Sequence, residues 1–192
     1  MIALVARSDR RELGLRRGLE ESVVLALFDL VNHLNRRGEQ LAALAGLTTQ
    51  QWLVLLQIAA DPNFPTATPT TEQRVLASDI ARVRGVSRPT ISTIIAVLKA
   101  RGFIVETPDE VDGRRRWLEI TPAGIDALAV IEQPRREANL RLLGGLSPAD
   151  RRRFLEMLEH CLALLTEARE DEQLALRKVR RGTRRPRATR HG

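Results

Sequence analysis

The stretch that decides the fold is residues 76–101, LASDIARVRGVSRPTISTIIAVLKAR, in which two helical patterns meet at Gly85. Ser87 stands where the N-cap of the second helix is expected. Apolar residues then recur at steps of three and four and predict one buried face, made of Ile91, Ile94, Ile95 and Leu98. The opposite face is small, polar and free of acidic residues. We predict helices over 76–83 and 87–101, joined by a tight glycine turn.

A β-hairpin is predicted directly after the second helix. Residues 103–107 and 115–121 have the composition of strands, and Asp112-Gly113 between them is a turn pair. The tip of the hairpin carries three consecutive basic residues, Arg114, Arg115 and Arg116. A basic hairpin alone is more often a solvated turn, but next to a helix pair it favours contact with a polyanion.

A helix that reads DNA needs an N-terminal turn and outer face slim enough for a major groove about 12 Å wide, with donors at the rim for phosphates. The outer face of the second helix fits this requirement with Ser87, Arg88, Thr90 and Thr93. An arginine at the hairpin tip would suit a narrow A·T-rich minor groove, where the negative potential is highest. We expect Asp112 to pair with Arg114 and fix its direction.

The run from Asp112 to Thr121, DGRRRWLEIT, resembles the wing signature of the multiple antibiotic resistance regulator (MarR) family, Asp-x-Arg followed after a strand by an aliphatic residue and Thr. Residues 76–81, 86–92 and 98–104 are similar to the two helices and the strand entry of that family. The likeness is specific over about 76–124 and extends to the flanking segments only as helix order.

The resemblance implies a mainly α fold with a small β-hairpin wing, a winged helix-turn-helix flanked by N- and C-terminal helices that interleave with a second subunit. It implies DNA contacts on the recognition helix and the wing, at Ser87, Arg88, Pro89, Thr90, Thr93, Asp112, Arg114 and Arg115. Two features depart from the family pattern: the Pro-rich connection at 61–71 is longer than usual, and an Arg-rich tail begins at Arg177.

The flanking segments have helical patterns of their own. An amphipathic stripe over 14–36 predicts a long helix, and Thr48 with Gln51 forms a capping-box pattern that opens another. The last helix carries a heptad seam, Phe154, Leu158, Cys161, Leu165 and Ala168. Either the seam packs inside the chain or it meets a partner helix, and we favour a partner helix, for which a second chain is one source.

These patterns divide the chain into six segments. They are an N-terminal segment (1–13), N-terminal helices for dimerisation and support (14–60), a Pro-rich connection (61–75), the DNA-binding lobe (76–121), C-terminal dimerisation helices (122–176) and a disordered Arg-rich tail (177–192).

The charge of the chain is concentrated in its tail. Of the 31 basic residues eight lie in 177–192, whereas all 24 acidic residues precede it, so the tail alone makes the chain basic. Such a block repels itself and attracts polyanions, and nucleic acid is its natural partner. The alternative is a solubilising tail that touches nothing in particular.

Composition and motifs exclude several classes of protein. With 43% hydrophobic and 29% charged residues in 192, the chain has enough material for a core, and no apolar run is long enough to cross a membrane. The N-terminus lacks the pattern of a secretory signal, and the single Cys161 cannot form an internal disulfide, so we expect a soluble, cytoplasmic protein. Catalytic fingerprints and metal-ligand spacings are missing, so we expect no enzyme, no cofactor and no metal.

Members of the resembled family often bind small aromatic or phenolic effectors between their dimerisation helices and their DNA-binding lobe. The candidate pocket residues here come from the first two helices, Phe28, His33, Trp52 and Leu56, and core packing is the competing explanation for them. The prediction as a whole is a homodimeric regulator, more often a repressor, that binds double-stranded DNA at a pseudo-palindromic operator. The alternatives are a sequence-tolerant architectural DNA binder driven by the Arg-rich tail, and a protein-interaction dimer that does not bind DNA.

Overall fold

A computed structural model of the chain describes residues 18–64, 75–110, 112 and 115–182, with side chains described as far as residue 168. Two compact units, 1–135 and 136–192, are described separately below. The elements in chain order are α1 (Leu19–Ala42), a 3-10 turn (Ala43–Ala45), α2 (Thr49–Ile58), β1 (Val75–Leu76), α3 (Ala77–Val83), α4 (Arg88–Ala100), β2 (Ile104–Pro108), β3 (Arg116–Ile120), α5 (Pro122–Leu143) and α6 (Pro148–Gly182).

The predicted helix-turn-helix is confirmed as α3 and α4. Gly85 between them has φ +64°, a left-handed conformation that glycine adopts without a steric penalty. Ser87 is the N-cap of α4, and its Oγ accepts a hydrogen bond from the Thr90 backbone N–H at 3.2 Å. The hydrogen bond satisfies one of the N–H groups that a helix start leaves without a partner.

The core of the first unit forms around the apolar stripe of α4. Ile91, Ile95 and Leu98 are buried, and Ile94 is partly buried against the same cluster. The stripe shares this core with residues of α2 and of the two long strands, Leu55, Ile58, Ile104 and Leu118. Burial of an aliphatic side chain of this size contributes about 1.5 to 3 kcal/mol relative to exposure, so the stripe fixes the rotation of α4 on the core.

The wing is a three-stranded antiparallel sheet in the order β1, β3, β2. β2 and β3 form the predicted hairpin, with Ile104 opposite Ile120 and Pro108 opposite Arg116. β1 was missed, and the prediction of a helix beginning at residue 76 was wrong by one residue, because Leu76 pairs with Trp117 and is the N-cap of α3. A two-residue strand is too short to show an alternating pattern in the sequence.

The helices before the lobe differ from the prediction mainly in length. α1 continues through Ala42, past the predicted end at residue 36, so part of the predicted apolar link at 41–46 is helical. The capping box of α2 is confirmed: Gln51 N–H donates to Thr48 Oγ1 at 3.3 Å, and Thr48 N–H donates to Gln51 Oε1 at 3.0 Å.

The second unit contains the end of α5 and the whole of α6. The predicted start signal of α6 is confirmed, because Ser147 Oγ accepts from the Asp150 backbone N–H at 3.1 Å. α6 extends to Gly182, so the prediction of disorder from Arg177 was wrong for 177–182, and the rest of the tail lies outside the described residues. Of the predicted seam, Cys161, Leu165 and Ala168 are exposed, and Phe154 and Leu158 are half-buried.

No single described helix is long and apolar enough to cross a membrane. One bent pair, Leu19–Ala45 with Thr49–Ile58, reaches the required length and composition only when its two parts, which meet at 72°, are taken together.

A buried ion pair joins the end of α2 to α5. Arg135 Nη1 donates to Asp61 Oδ2 at 2.9 Å, and both side chains are more than four-fifths removed from solvent. Burial acts to raise the pKa of Asp61, but hydrogen bonds from Asn63 and Arg135 and the charge of Arg135 outweigh it and lower this pKa below its ordinary value of 3.8. The carboxylate of Asp61 is therefore held in its ionised form.

Asp61→Asn is expected to reduce the free energy of unfolding at neutral pH by about 1 to 3 kcal/mol, since it leaves Arg135 with one fewer anionic partner. Because the folded pKa is lowered, this contribution is present above the ordinary value of 3.8 and is lost as the pH falls through the folded pKa. Urea unfolding from neutral to acidic pH would show the difference between wild type and variant shrinking in acid. Asp79→Asn breaks an exposed pair with Arg82 and is the control; an equal loss from both variants contradicts the prediction.

Candidate nucleic-acid interface

The solvent-facing side of α4 is narrow and carries hydroxyl groups. Ser87, Arg88, Pro89, Thr90 and Thr93, all predicted as contacts, are exposed on it. Thr93 Oγ1 donates to the carbonyl of Pro89 at 3.1 Å, and the hydroxyl groups of Ser87 and Thr90 lie 2.7 Å apart. These bonds hold the short side chains against the helix, so the face stays slim enough for a major groove.

Arg88 is the cation at the start of this face. It stands at the first position of α4, it is exposed, and no carboxylate among the described residues pairs with it. α4 contains no acidic residue, so nothing on the helix itself repels a phosphate or competes for the guanidinium. The N-terminal end of α4 also carries the positive end of the helix dipole.

The tip of the wing is described at Asp112 and Arg115, whereas the predicted contact Arg114 lies outside the described residues. Arg115 Nε lies 3.4 Å from Asp112 Oδ2, and Arg115 N–H donates to the Asp112 carbonyl at 2.8 Å. Asp112 N–H in turn donates to Asp109 Oδ1 at 3.0 Å. Asp112 therefore orients Arg115, and its predicted pairing with Arg114 stays a prediction.

Sequence reasoning missed the role of Arg101 at the other end of α4. Its Nη1 and Nη2 donate to the carbonyls of Gly46 and Ala45 at 2.5 and 3.0 Å, and its guanidinium lies 4.5 Å from the ring centre of Phe103. The clamp ties the end of α4 to the turn that follows α1. The motif Arg101-Gly102-Phe103 is visible in the sequence, but its partners are 55 and 56 residues away.

The four candidate effector-pocket residues fall into two environments. Trp52 and Leu56 are buried in the core of the first unit. Phe28 and His33 are exposed on α1. The first two therefore pack in the core, and the second two face solvent in the single chain. Among the described residues, no group of three or more His, Cys, Asp or Glu side chains is arranged to hold a metal ion.

A helix-turn-helix followed by a β-hairpin, which pairs with the short strand before the helices, and an exposed acid-free face on the second helix define a winged-helix DNA-binding domain. A protein-family comparison agrees, because the model described as MarR family matches residues 45–115. This range covers α2, β1, the helix-turn-helix and β2, and it ends one residue before β3.

Comparisons over longer ranges point to the same family. The chain is 30% identical over 133 residues to the transcriptional activatory protein BadR of Rhodopseudomonas palustris, which covers 69% of this chain and 71% of BadR. It resembles the crystal structure of the transcriptional regulator SlyA with a TM-score of 0.65 and 20% identity, over 77% of this chain and 96% of that one. The S. aureus MepR–DNA complex matches with a TM-score of 0.58 and 21% identity, over 72% and 94% of the two chains. The chain belongs to the MarR family and is a DNA-binding transcription regulator, not an enzyme.

Arg101→Met should lower the free energy of unfolding by about 1.5 to 3 kcal/mol, because two carbonyls lose a charged donor while the side-chain stem is kept. Lys99→Met is the matched control, since it breaks one ion pair, with Glu106, from a position two residues earlier and should cost less than about 1 kcal/mol. The free energy of unfolding of each variant is measured by urea titration, and equal destabilisation of the two would contradict the stabilising role of the Arg101 contacts.

Proposed function

We propose that the chain acts in the cytoplasm as a homodimer on a pseudo-palindromic operator, with one α4 helix in each of two successive major grooves. The exposed face from Ser87 to Thr93 carries this proposal, because it joins a free cation, short hydroxyl side chains and a helix N-terminus on one slim surface. Arg115 on the wing supplies positive charge beside it. Arg114 belongs to the same proposal from its place in the sequence.

The dimer is supported by apolar surface that a single chain leaves uncovered. α1 exposes six large apolar side chains, Leu19, Val23, Val24, Leu25, Phe28 and Val31. α6 independently exposes Leu155, Met157, Leu162, Leu164 and Leu165. Large apolar side chains exposed in this number on two helices favour an interface, because extensive exposed apolar surface is uncommon on a monomer. A second copy of the chain, with the same two helices, would cover both.

Repression follows if the dimer occupies DNA that the polymerase must use, and we propose this as the outcome of binding. Activation is the second candidate, favoured by the name of the relative BadR, a transcriptional activatory protein. A reporter gene placed behind the selected operator separates them, because loss of the protein raises expression under repression and lowers it under activation.

We further propose that a small-molecule effector releases the operator. It must bind more tightly to a dimer whose α4 helices do not match the operator spacing. Of the four candidate pocket residues, His33 is exposed and is not one of the apolar residues that the second copy would cover, whereas Phe28 is one of them. The proposal predicts that small aromatic or phenolic compounds release the selected operator from the wild type and no longer release it from His33→Ala.

The direct test is in-vitro selection of random duplex DNA by the purified protein at about 150 mM salt. We expect an inverted repeat with half-sites about one helical turn apart. Arg88→Ala should weaken binding to this site by about 1 to 3 kcal/mol and relax the preference at one position in each half-site. Arg141→Ala, which removes an exposed arginine from α5, is the control and should bind as the wild type. Failure to enrich any sequence contradicts the proposal.

The rival function is sequence-tolerant DNA binding driven by the tail. Truncation after Leu176 removes all eight tail cations. An operator reader would bind more weakly and with a shallower salt dependence but would keep its preference, whereas a tail-driven binder would lose binding altogether. Replacing the eight cations with Gln retains the length of the tail and controls for damage to the end of α6. Dimerisation without any DNA binding would instead support a protein-interaction role.

A further inference from the structure

Arg84 lies in the turn between α3 and α4, three residues before the N-cap of the recognition helix. Its side chain is largely removed from solvent and reaches across to the first turn of α2, where Nη2 donates to Gln50 Oε1 at 2.8 Å. Gln50 is itself exposed. The guanidinium therefore lies beside the first turn of α2, on a residue of the turn that leads into α4.

The charge of Arg84 is not compensated within the described part of the chain. No carboxylate there pairs with it, and its Nε is buried without a hydrogen-bond partner. Burial lowers the pKa of this guanidinium, since it disfavours the charged form. Two other arginines of the unit have carboxylate partners, since Arg82 pairs with Asp79, and Arg135 pairs with Asp61 and Glu132.

A partly buried arginine whose hydrogen-bonding partner is neutral is costly to a folded chain. The cost falls when an anion arrives, and a guanidinium is better suited than an ammonium to a phosphate, because it is more weakly hydrated and presents donors in a planar fork. The N-terminal end of α2, where Gln50 lies, adds positive potential at the same place. The first turns of α2 and α4 contain no acidic residue that would oppose it.

We propose that Arg84, oriented by Gln50, is a binding site for a phosphate of the DNA backbone at the rim of the groove that α4 enters. This inference rests on the proposed function. It adds a contact that neither the groove-facing residues nor the wing supplies. Gln50 is a positioning residue in this site, since it holds the guanidinium without carrying charge. The site contributes affinity and not sequence preference, because every duplex presents the same phosphates.

The test compares Arg84→Gln with wild type in full-length protein, by titrating the selected operator and a scrambled duplex at several salt concentrations. A dimer of the variant loses one phosphate contact in each subunit, and because each contact contributes about 0.9, the slope of log affinity against log salt should fall by about 1.8. The loss should weaken binding to both duplexes by a similar factor, on the order of tenfold, so that the preference for the operator is unchanged. Arg141→Gln, which removes an exposed charge of the same sign, should leave the slope unaltered.

Two further variants separate DNA binding from folding. Arg84→Lys keeps the charge and should recover most of the salt slope. Arg84→Leu removes an uncompensated buried charge and should unfold at the same temperature as wild type or higher, while showing the shallower slope. An unchanged slope for Arg84→Gln, or a lower unfolding temperature for Arg84→Leu with the wild-type slope, would overturn the proposal and make Arg84 a structural residue.

The test of the Arg84 site can fail independently of the test of the proposed function. A wild-type protein without sequence preference contradicts the operator reader, yet the slope measured on the scrambled duplex still decides the role of Arg84. A wild-type protein that binds no duplex overturns both.

Discussion

The fold depends above all on burial of the apolar stripe of α4. Ile91 and Leu98 are completely removed from solvent, and Ile95 is nearly so. Because these side chains hold one face of the helix on the core, the opposite face can face only outward. Burial of the apolar stripe therefore leaves the acid-free surface from Ser87 to Thr93 exposed to solvent. The same 13-residue helix therefore has to pack one face on the core and present the other face to the DNA groove.

Polar contacts then set the position of α4 at each end. At its N-terminal end, the left-handed Gly85 and the capping hydroxyl of Ser87 decide where the helix begins. At its C-terminal end, Arg101 joins it to the turn after α1. The pair of Asp61 with Arg135 makes a similar link between α2 and α5. Arg101 therefore connects the DNA-binding lobe to the turn after α1, and Arg135 connects α5 to the segment after α2.

The predictions from sequence were best where the determining contacts are local. The caps at Thr48, Ser87 and Ser147 and the turn at Gly85 involve residues at most four positions apart, and all were predicted. The hairpin was also predicted, because its turn and its strands are consecutive in the chain.

The contacts that were not predicted from the sequence join residues that are far apart in the chain. β1 exists because Val75 and Leu76 meet β3 more than 40 residues later. Arg84 and Arg101 have partners 34 and 55 residues away, so no pattern of neighbours could assign their roles. The end of α6 was misjudged for another reason: a run of basic residues predicts self-repulsion, yet the helix continues through the first six residues of that run. Trp52 and Leu56 show that a core and a pocket have the same composition, and burial was needed to tell them apart.

In the proposed complex, two copies of α4 enter two successive major grooves on one face of the DNA. Hydroxyl-radical footprinting of the full-length protein on its selected duplex tests this arrangement. We expect two protected windows on each strand, centred about one helical turn apart, with flanking protection from the wing. A single short window would contradict the dimer, and uniform protection without a boundary would contradict sequence-specific reading.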